Sequence, residues 1–426
     1  MSLPNLSPIA ARTALEGIGF AGEETAAYAR VIWNVIAEPG DGVAGTLMGA
    51  VGPVEALRIA ATPAEDGWAS ARARWTPRLR PDAVRAALDA ARRSGARLVI
   101  PGDSRWPTRL DDLGVHAPSA LWLLGRADEA DTPAAAIVGA RAATAYGEGV
   151  TADLAAELGA SGVTVVSGAA YGIDGAAHRA ALSAGAATVA FLAGGVDRAY
   201  PRGHEGLLAQ IARTGAVWAE TPCGSSPTKW RFLSRNRLIA AMADAVVVVE
   251  AGWRSGSLNT AAHAATLGRP LGAVPGPITS AASAGCHRIL REYGGVCVTS
   301  AEDVREMIGG LSGAQPVPTS VPIVGAGLSG AAAPGPRGRS HDPIPAEGGG
   351  SGVVRSVVDA GASRPDRTDD ATRVFDALSV RFGREAEEIA RRSGLSPAQV
   401  RTQLGFAELA GRVVRDEDGT WRARRS

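Results

Sequence analysis

The sequence predicts an α/β protein: a doubly wound, mostly parallel sheet, preceded by a helical N-terminal domain and followed by a C-terminal winged helix. Three observations carry this. Short apolar runs alternate with amphipathic segments from Ala134 to Gly310. The first 94 residues show helix-spaced apolar positions and no convincing strand. The segment Ala371 to Arg422 reads as three helices followed by a hairpin. Continuous Val/Ala/Leu runs separated by helices belong to strands buried on both faces, which is the signature of a parallel sheet.

In chain order, the first domain (1–94) is rich in Ala, Leu and Arg, with Ala27, Val31, Val35 and Ile36 on one helical face. The second (95–308) contributes strands at Ala134 to Val138, Val163 to Val166, Thr188 to Leu192, Ala216 to Ala219, Ala245 to Glu250, Leu271 to Val274 and Val296 to Val298. Helices such as Gly147 to Leu158 and Ser257 to Leu267 lie between them, and Arg97 to Ile100 and Leu121 to Leu124 add strands at an edge. Residues 309–370 form a flexible linker, since Gly309 to Gly352 holds 12 Gly and 7 Pro in 44 residues. The last domain (371–426) has helices around Val374, Phe375 and Leu378, then Arg384 to Arg392. A third opens at Ser396-Pro397, a cap followed by proline in the first turn. Val413-Val414, Asp418-Gly419 and Trp421 make the hairpin. The length of the linker implies that this tail moves independently.

A chain of 426 residues exceeds one typical domain. With 46% apolar and 20% charged residues it is neither disordered nor fibrous. The 44 basic and 43 acidic side chains nearly cancel, so affinity for nucleic acid requires cations concentrated locally. Three cysteines (Cys223, Cys286, Cys297), without a Cys-x-x-Cys pair, suit a reducing compartment. No run of 18 apolar residues occurs, so no membrane partner is expected and the cytoplasm is the expected location.

In open parallel sheets ligands bind beyond the carboxyl ends of the strands. The loop after the first long strand carries Gly139 and Arg141 ahead of a helix start at Tyr146-Gly147, where a glycine admits an oxyanion and free N–H groups meet it. The next loop holds Ser167 and Gly168 and leads to Asp174, placed to cap the following helix. Lys229 to Arg237 packs four cations and two aromatics into nine residues, with no carboxylate between Glu220 and Asp244. Charge for phosphates beside rings for bases is what a single-strand binder needs. Arg235 and Arg237, which follow Phe232 at the entry to a helix, are expected to reach phosphates without being buried themselves. From Ala251 to Arg291 there is again no Asp or Glu, and Ser255, Gly256 and Ser257 offer donors at a helix start. The histidines are too scattered to ligate a metal, and no nucleophile elbow or Walker loop occurs. Asp174 and Glu250 are better explained by capping and by a strand end than by acid–base chemistry. No catalytic residue, cofactor or metal is expected.

Read together, these loops resemble the DNA-processing protein A (DprA/Smf) family. The match runs through Trp106-Pro107, Gly139-x-Arg141, Ser167-Gly168 with Tyr171-Gly172-Ile173-Asp174, Leu192-Ala193-Gly194 with Tyr200-Pro201, Phe232 with Arg235-Asn236-Arg237, Glu250 with Ser255-Gly256-Ser257, and Val274-Pro275-Gly276. It covers roughly Gly95 to Val304. The resemblance implies a Rossmann-like, non-enzymatic, homodimeric protein that binds and protects single-stranded DNA and helps load the RecA recombinase, as in natural transformation. The N-terminal SAM-like domain and the winged helix would be accessory domains. Carried over to this sequence, the DNA-binding positions are Gly139, Arg141, Ser167, Gly168, Tyr200, Pro201, Arg202, Lys229, Phe232, Arg235, Asn236, Arg237, Ser255, Gly256 and Ser257. Leu233 departs from the family, which has a proline after the phenylalanine; this bears on local turn geometry.

Two other function classes share features of the sequence. Nucleotide-processing enzymes of the lysine-decarboxylase-like Rossmann family have a similar sheet, but they resemble a Pro-Gly-Gly-x-Gly-Thr loop followed by a glutamate, and Ala251 to Thr266 holds no carboxylate. A transcription regulator would read DNA through Ser396 to Ala410, where Arg401 stands against Glu408 and phosphate attraction is weak.

Overall fold

The computed structural model describes residues 3–64, 66–127, 132–309, 370–416 and 418–424. Most of the expected linker lies outside the described residues.

The N-terminal helices are α1 (Pro8–Leu15), α2 (Glu24–Ile36), α3 (Gly42–Ala61), α4 (Ala69–Trp75) and α5 (Pro81–Ser94). Ser7, Glu23 and Asp41 cap the first three by accepting backbone N–H groups, and Gly95 in the left-handed region (φ 68°) ends α5. By length and mean hydropathy α3 qualifies as a membrane span among the described residues. It is broken at Gly52 (φ 77°, ψ 163°) ahead of Pro53, and Leu47, Ala56 and Leu57 are buried against its neighbours. Each half falls well short of the ~20 residues needed to cross a bilayer.

From there the chain runs through β1 (Arg97–Val99), β2 (Leu121–Gly125), β3 (Ala134–Val138), α6 (Ala145–Ala160), β4 (Thr164–Ser167), α7 (Ile173–Ser183), β5 (Thr188–Leu192), α8 (Glu205–Thr214), β6 (Ala216–Ala219) and α9 (Lys229–Met242). Then come β7 (Ala245–Val248), α10 (Ser257–Thr266), β8 (Leu271–Ala273), α11 (Ala284–Glu292), β9 (Val296–Cys297) and α12 (Ala301–Gly309). The sheet order is β1-β2-β6-β5-β4-β3-β7-β8-β9, with the two contacts of β2 antiparallel and every other contact parallel. The chain winds one way from β3 and the other way from β7, which makes the crevice between those neighbours the switch point where ligands collect in such sheets.

Strand alternation sends side chains to two layers. Ala135, Ile137, Val165 and Val247 pack with Leu154, Ala177 and Val304 on one face; Ala136, Val166 and Val246 pack with Leu238, Ile239 and Ile289 on the other. The helical N-terminal segment shares a core with the sheet: Trp33, Leu57 and Trp75 belong to one cluster with Trp122, Ala190 and Val217. The Trp122 indole donates to Asn34 Oδ1 at 2.9 Å, and the Asn34 amide donates to the Glu220 carbonyl.

The tail folds as α13 (Asp370–Ala377), α14 (Ala386–Ser393), α15 (Pro397–Leu409), β10 (Val413–Arg415) and β11 (Trp421–Ala423). Ser396 and Gln399 close a capping box at the start of α15, and β10 pairs antiparallel with β11. Its one cation, Arg401, bonds Glu387 at 3.1 Å. The linker's length suggested a free-standing domain, but the described tail touches both other parts. Arg78 donates to the Arg391 carbonyl at 2.9 Å, and Arg373 lies 4.8 Å over the Trp230 ring. Glu38 accepts from Arg78 and Arg231 at the same junction. Burial pushes its carboxyl up, but Arg231 and then Arg78 pull it further down, to about 2. These are polar contacts that apolar periodicity does not register.

Candidate nucleic-acid interface

Beyond the carboxyl ends of β3, β4, β5 and β7, four loops meet the first turns of α9. Thr228 caps that helix by accepting Arg231 N–H at 3.2 Å. Leu233 lies within the helix, which runs through it without a turn. Three expected residues converge on the surface. The Phe232 ring lies 5.3 Å from that of Tyr200, and the Arg141 guanidinium sits 4.8 Å over Phe232. Tyr200 is 45% exposed, and Arg141 and Arg202 are exposed. Tyr171, 50% exposed, extends the aromatic surface: its ring packs edge-on 4.8 Å from His204, at the end of the turn that starts at Tyr200.

Arg235 and Arg237 require a correction, because they are 6% and 5% exposed rather than presented to solvent. From Ser234 to Met242 every residue of α9 is buried, since the helix is wedged between the sheet and α10. Arg237 donates to both Glu220 carboxylate oxygens at 2.8 Å, to the His116 carbonyl at 2.9 and 3.1 Å, and to the Ser234 carbonyl at 2.9 Å. It joins α9 to the end of β6 and to the loop before β2. Asp244, the other acid bounding the carboxylate-free stretch, pairs with Arg109 at 3.0 Å.

Arg235 is a strut under the platform. It donates to the carbonyls of Gly168 (2.7 Å) and Phe191 (2.6 Å), and its guanidinium lies 5.8 Å from the Phe232 ring. Burial lowers it to about 10, opposed by Asp174 and aided by Arg141, so it stays charged at neutral pH. Asp174 does not cap α7, whose N-cap is Gly172; it lies in the first turn and accepts the Gly168 N–H at 3.2 Å. Burial raises its carboxyl, and Arg235 pulls it partly back.

The remaining expected residues divide in the same way. Ser167, Gly168, Pro201 and Ser257 are buried, and Ser167 donates to the Ile137 carbonyl at 2.6 Å. Asn236 is buried and holds the Ser255-Gly256-Ser257 loop, donating to the Gly256 carbonyl at 3.3 Å and Asn259 Oδ1 at 3.2 Å. Ser255 and Ser257 bond each other at 2.7 Å, which leaves Gly256 at the exposed crest. Gly139 packs where a side chain would meet Ile173 at 2.6 Å. Lys229 is exposed but stands at the start of α9, toward Asp376 of the tail. Tyr171 belongs to the motif that carries the family resemblance but was absent from the expected DNA-binding set; its signal was an aromatic inside a glycine-rich loop.

The two carboxylates considered for acid–base chemistry are committed to structural hydrogen bonds. Glu250 is buried and accepts from Thr144 N (2.9 Å) and Thr144 Oγ1 (2.5 Å), which fixes the start of α6. His178 bonds Thr188 Oγ1 and His204 bonds the Ala169 carbonyl. The arrangement offers rings, cations and loop donors on a rigid floor.

That rigidity depends on Gly172, which has φ 74° and where a Cβ would lie 2.3 Å from the Ala140 carbonyl oxygen. Gly172→Ala is expected to cost more than the ~1 kcal/mol of an unfavourable left-handed residue, because the loop carrying Arg141 must also move. A melting curve checks this; an unchanged midpoint would mean the two loops are not locked together.

Comparison with known proteins places these features in context. The family model for DNA recombination-mediator protein A matches residues 97–309, and that for the DprA winged helix domain matches residues 358–419. A DNA processing protein DprA of Streptococcus pneumoniae is 39% identical over 206 residues, 47% of this chain and 71% of that one. A solved structure of DprA from the same species is 35% identical, with TM-score 0.48, covering 53% of this chain and 82% of its own. A DNA processing protein A structure from Helicobacter pylori, described by its single-stranded DNA binding mode, is 30% identical with TM-score 0.44, covering 49% and 93%. A DprA of Mycobacterium tuberculosis is 45% identical over 355 residues, 80% of each chain. On the match to the sheet domain and that relative's coverage, this chain belongs to the DNA processing protein A family.

Proposed function

We propose that this chain binds single-stranded DNA across the carboxyl edge of its sheet and acts without catalysis, as a homodimeric cytoplasmic mediator that protects the strand and helps load RecA, as in natural transformation. The observation that carries the binding reading is the Tyr200/Phe232/Arg141 cluster, where two ring faces and a guanidinium stand together. Rings stack on any base, and the cation meets the phosphate alongside. Family membership supports the wider role.

The test is a binding comparison of single-stranded DNA, duplex DNA and free nucleotides at several salt concentrations. With Arg141, Arg202 and neighbouring cations each neutralising about one phosphate, log K should fall with log salt at a slope of roughly −2 to −4 on single strands. Binding indifferent to salt from about 50 to 200 mM would remove the electrostatic part of the reading. Tight binding and hydrolysis of nucleotides would replace it with the enzymatic one.

A further inference from the structure

Trp253 stands apart from the residues described so far. It is 60% exposed, whereas Trp33, Trp75, Trp122 and Trp218 are fully buried. Its ring faces the Arg288 guanidinium at 5.4 Å, and the same guanidinium lies 5.5 Å from the Tyr293 ring. Glu292 accepts from Arg288 at 2.7 Å and orients it. The flanking sequence is basic: Ala251 to Arg291 contains no carboxylate, and Arg254 and Arg291 are exposed.

The backbone presenting Trp253 is fastened. Ala251 N–H donates to the Ala282 carbonyl at 2.8 Å, and Gly285 N–H donates to the Ala251 carbonyl at 2.6 Å. A large apolar ring held in water on an anchored loop, with a cation over its face, is preorganised for a flat partner carrying negative charge. The position is also continuous with the platform. Phe232 and Asn236 lie one turn apart on α9, Asn236 holds Gly256, and Trp253 precedes Gly256 by three residues, a reach of at most about 11 Å.

We propose that Trp253, with Arg288 over its ring, is a second stacking station for single-stranded DNA, extending the bound strand from the platform past the loop after β7 toward α11. This rests on the single-strand reading above and adds a length requirement to it: short strands fill the platform alone, and longer ones also engage Trp253.

The experiment measures fluorescence anisotropy of labelled oligo(dT) strands from about 4 to about 20 nucleotides, spanning the range of single-strand site sizes. Trp253→Ala should bind the shortest strands like the unaltered protein and the longest about 5- to 150-fold more weakly, the range for losing one stacked base. Trp253→Phe, which keeps a ring face, should restore most of the difference. Three results overturn the proposal: length curves of Trp253→Ala and the unaltered protein that superimpose while Phe232→Ala weakens every length; equal weakening at all lengths together with an earlier melt, which marks a structural residue; or loss of a dimer on sedimentation, which marks a protein interface. If the unaltered protein itself shows no preference for single strands, the underlying reading fails, and this proposal with it.

Discussion

Arg237→Ala is expected to lower the thermal midpoint by roughly 6–20 °C while leaving the DNA affinity of the folded protein nearly unchanged. Removing one member of a buried ion pair leaves the other charged and unsolvated, at a cost of about 3–5 kcal/mol. Here the stranded group is Glu220, which would lose both of its bonds from Arg237. The His116 carbonyl would lose two donors at the same time. A melting curve and a binding isotherm on one preparation separate stability from recognition. A variant that melts normally but has lost affinity would show that Arg237 reaches DNA after all. Arg237→Lys should recover only part of the stability, because an ammonium cannot reproduce the two parallel bonds of the guanidinium fork.

Joint replacement of Phe232 and Arg141 by Ala should weaken single-strand binding by about 30-fold or more. Losing a stacking ring costs about 1–3 kcal/mol and losing a charged hydrogen bond about 1.5–3 kcal/mol. The two touch, so their effects need not add. The magnitude of the salt slope should fall by about 0.7, the share of one phosphate on a single strand. Phe232→Leu is the informative companion, since it keeps apolar volume over Arg235 but offers no ring face. It should melt close to the unaltered protein and still bind poorly. Unchanged binding in both variants would place the DNA elsewhere on the molecule.

These two expectations divide a segment that is uniform in sequence. Lys229 to Arg237 reads as a run of cations and rings, and nothing in its composition separates Phe232 from Arg235 or Arg237. The order of strands and helices was legible, because runs such as Ala134 to Val138 are too apolar for an exposed surface and the intervening segments carry helical spacing. Proximity was legible in part: loops at strand ends meet in any doubly wound sheet, which put the Arg141 loop near the segment of Phe232, whereas Tyr200 was named only through the family resemblance. Which side of a helix faces water depends on what covers it. Sheet, α10 and the loop at His116 close over α9 beyond Ser234 and turn two arginines into struts. Glu220 supplies the countercharge from 17 residues away. A capping role for Asp174 likewise gave way to a bond across its own loop. Apolar periodicity is a local property and survives in the linear sequence; the burial and partner of a charge are set by distant segments that arrive at the same place, and those appear only once the chain has packed.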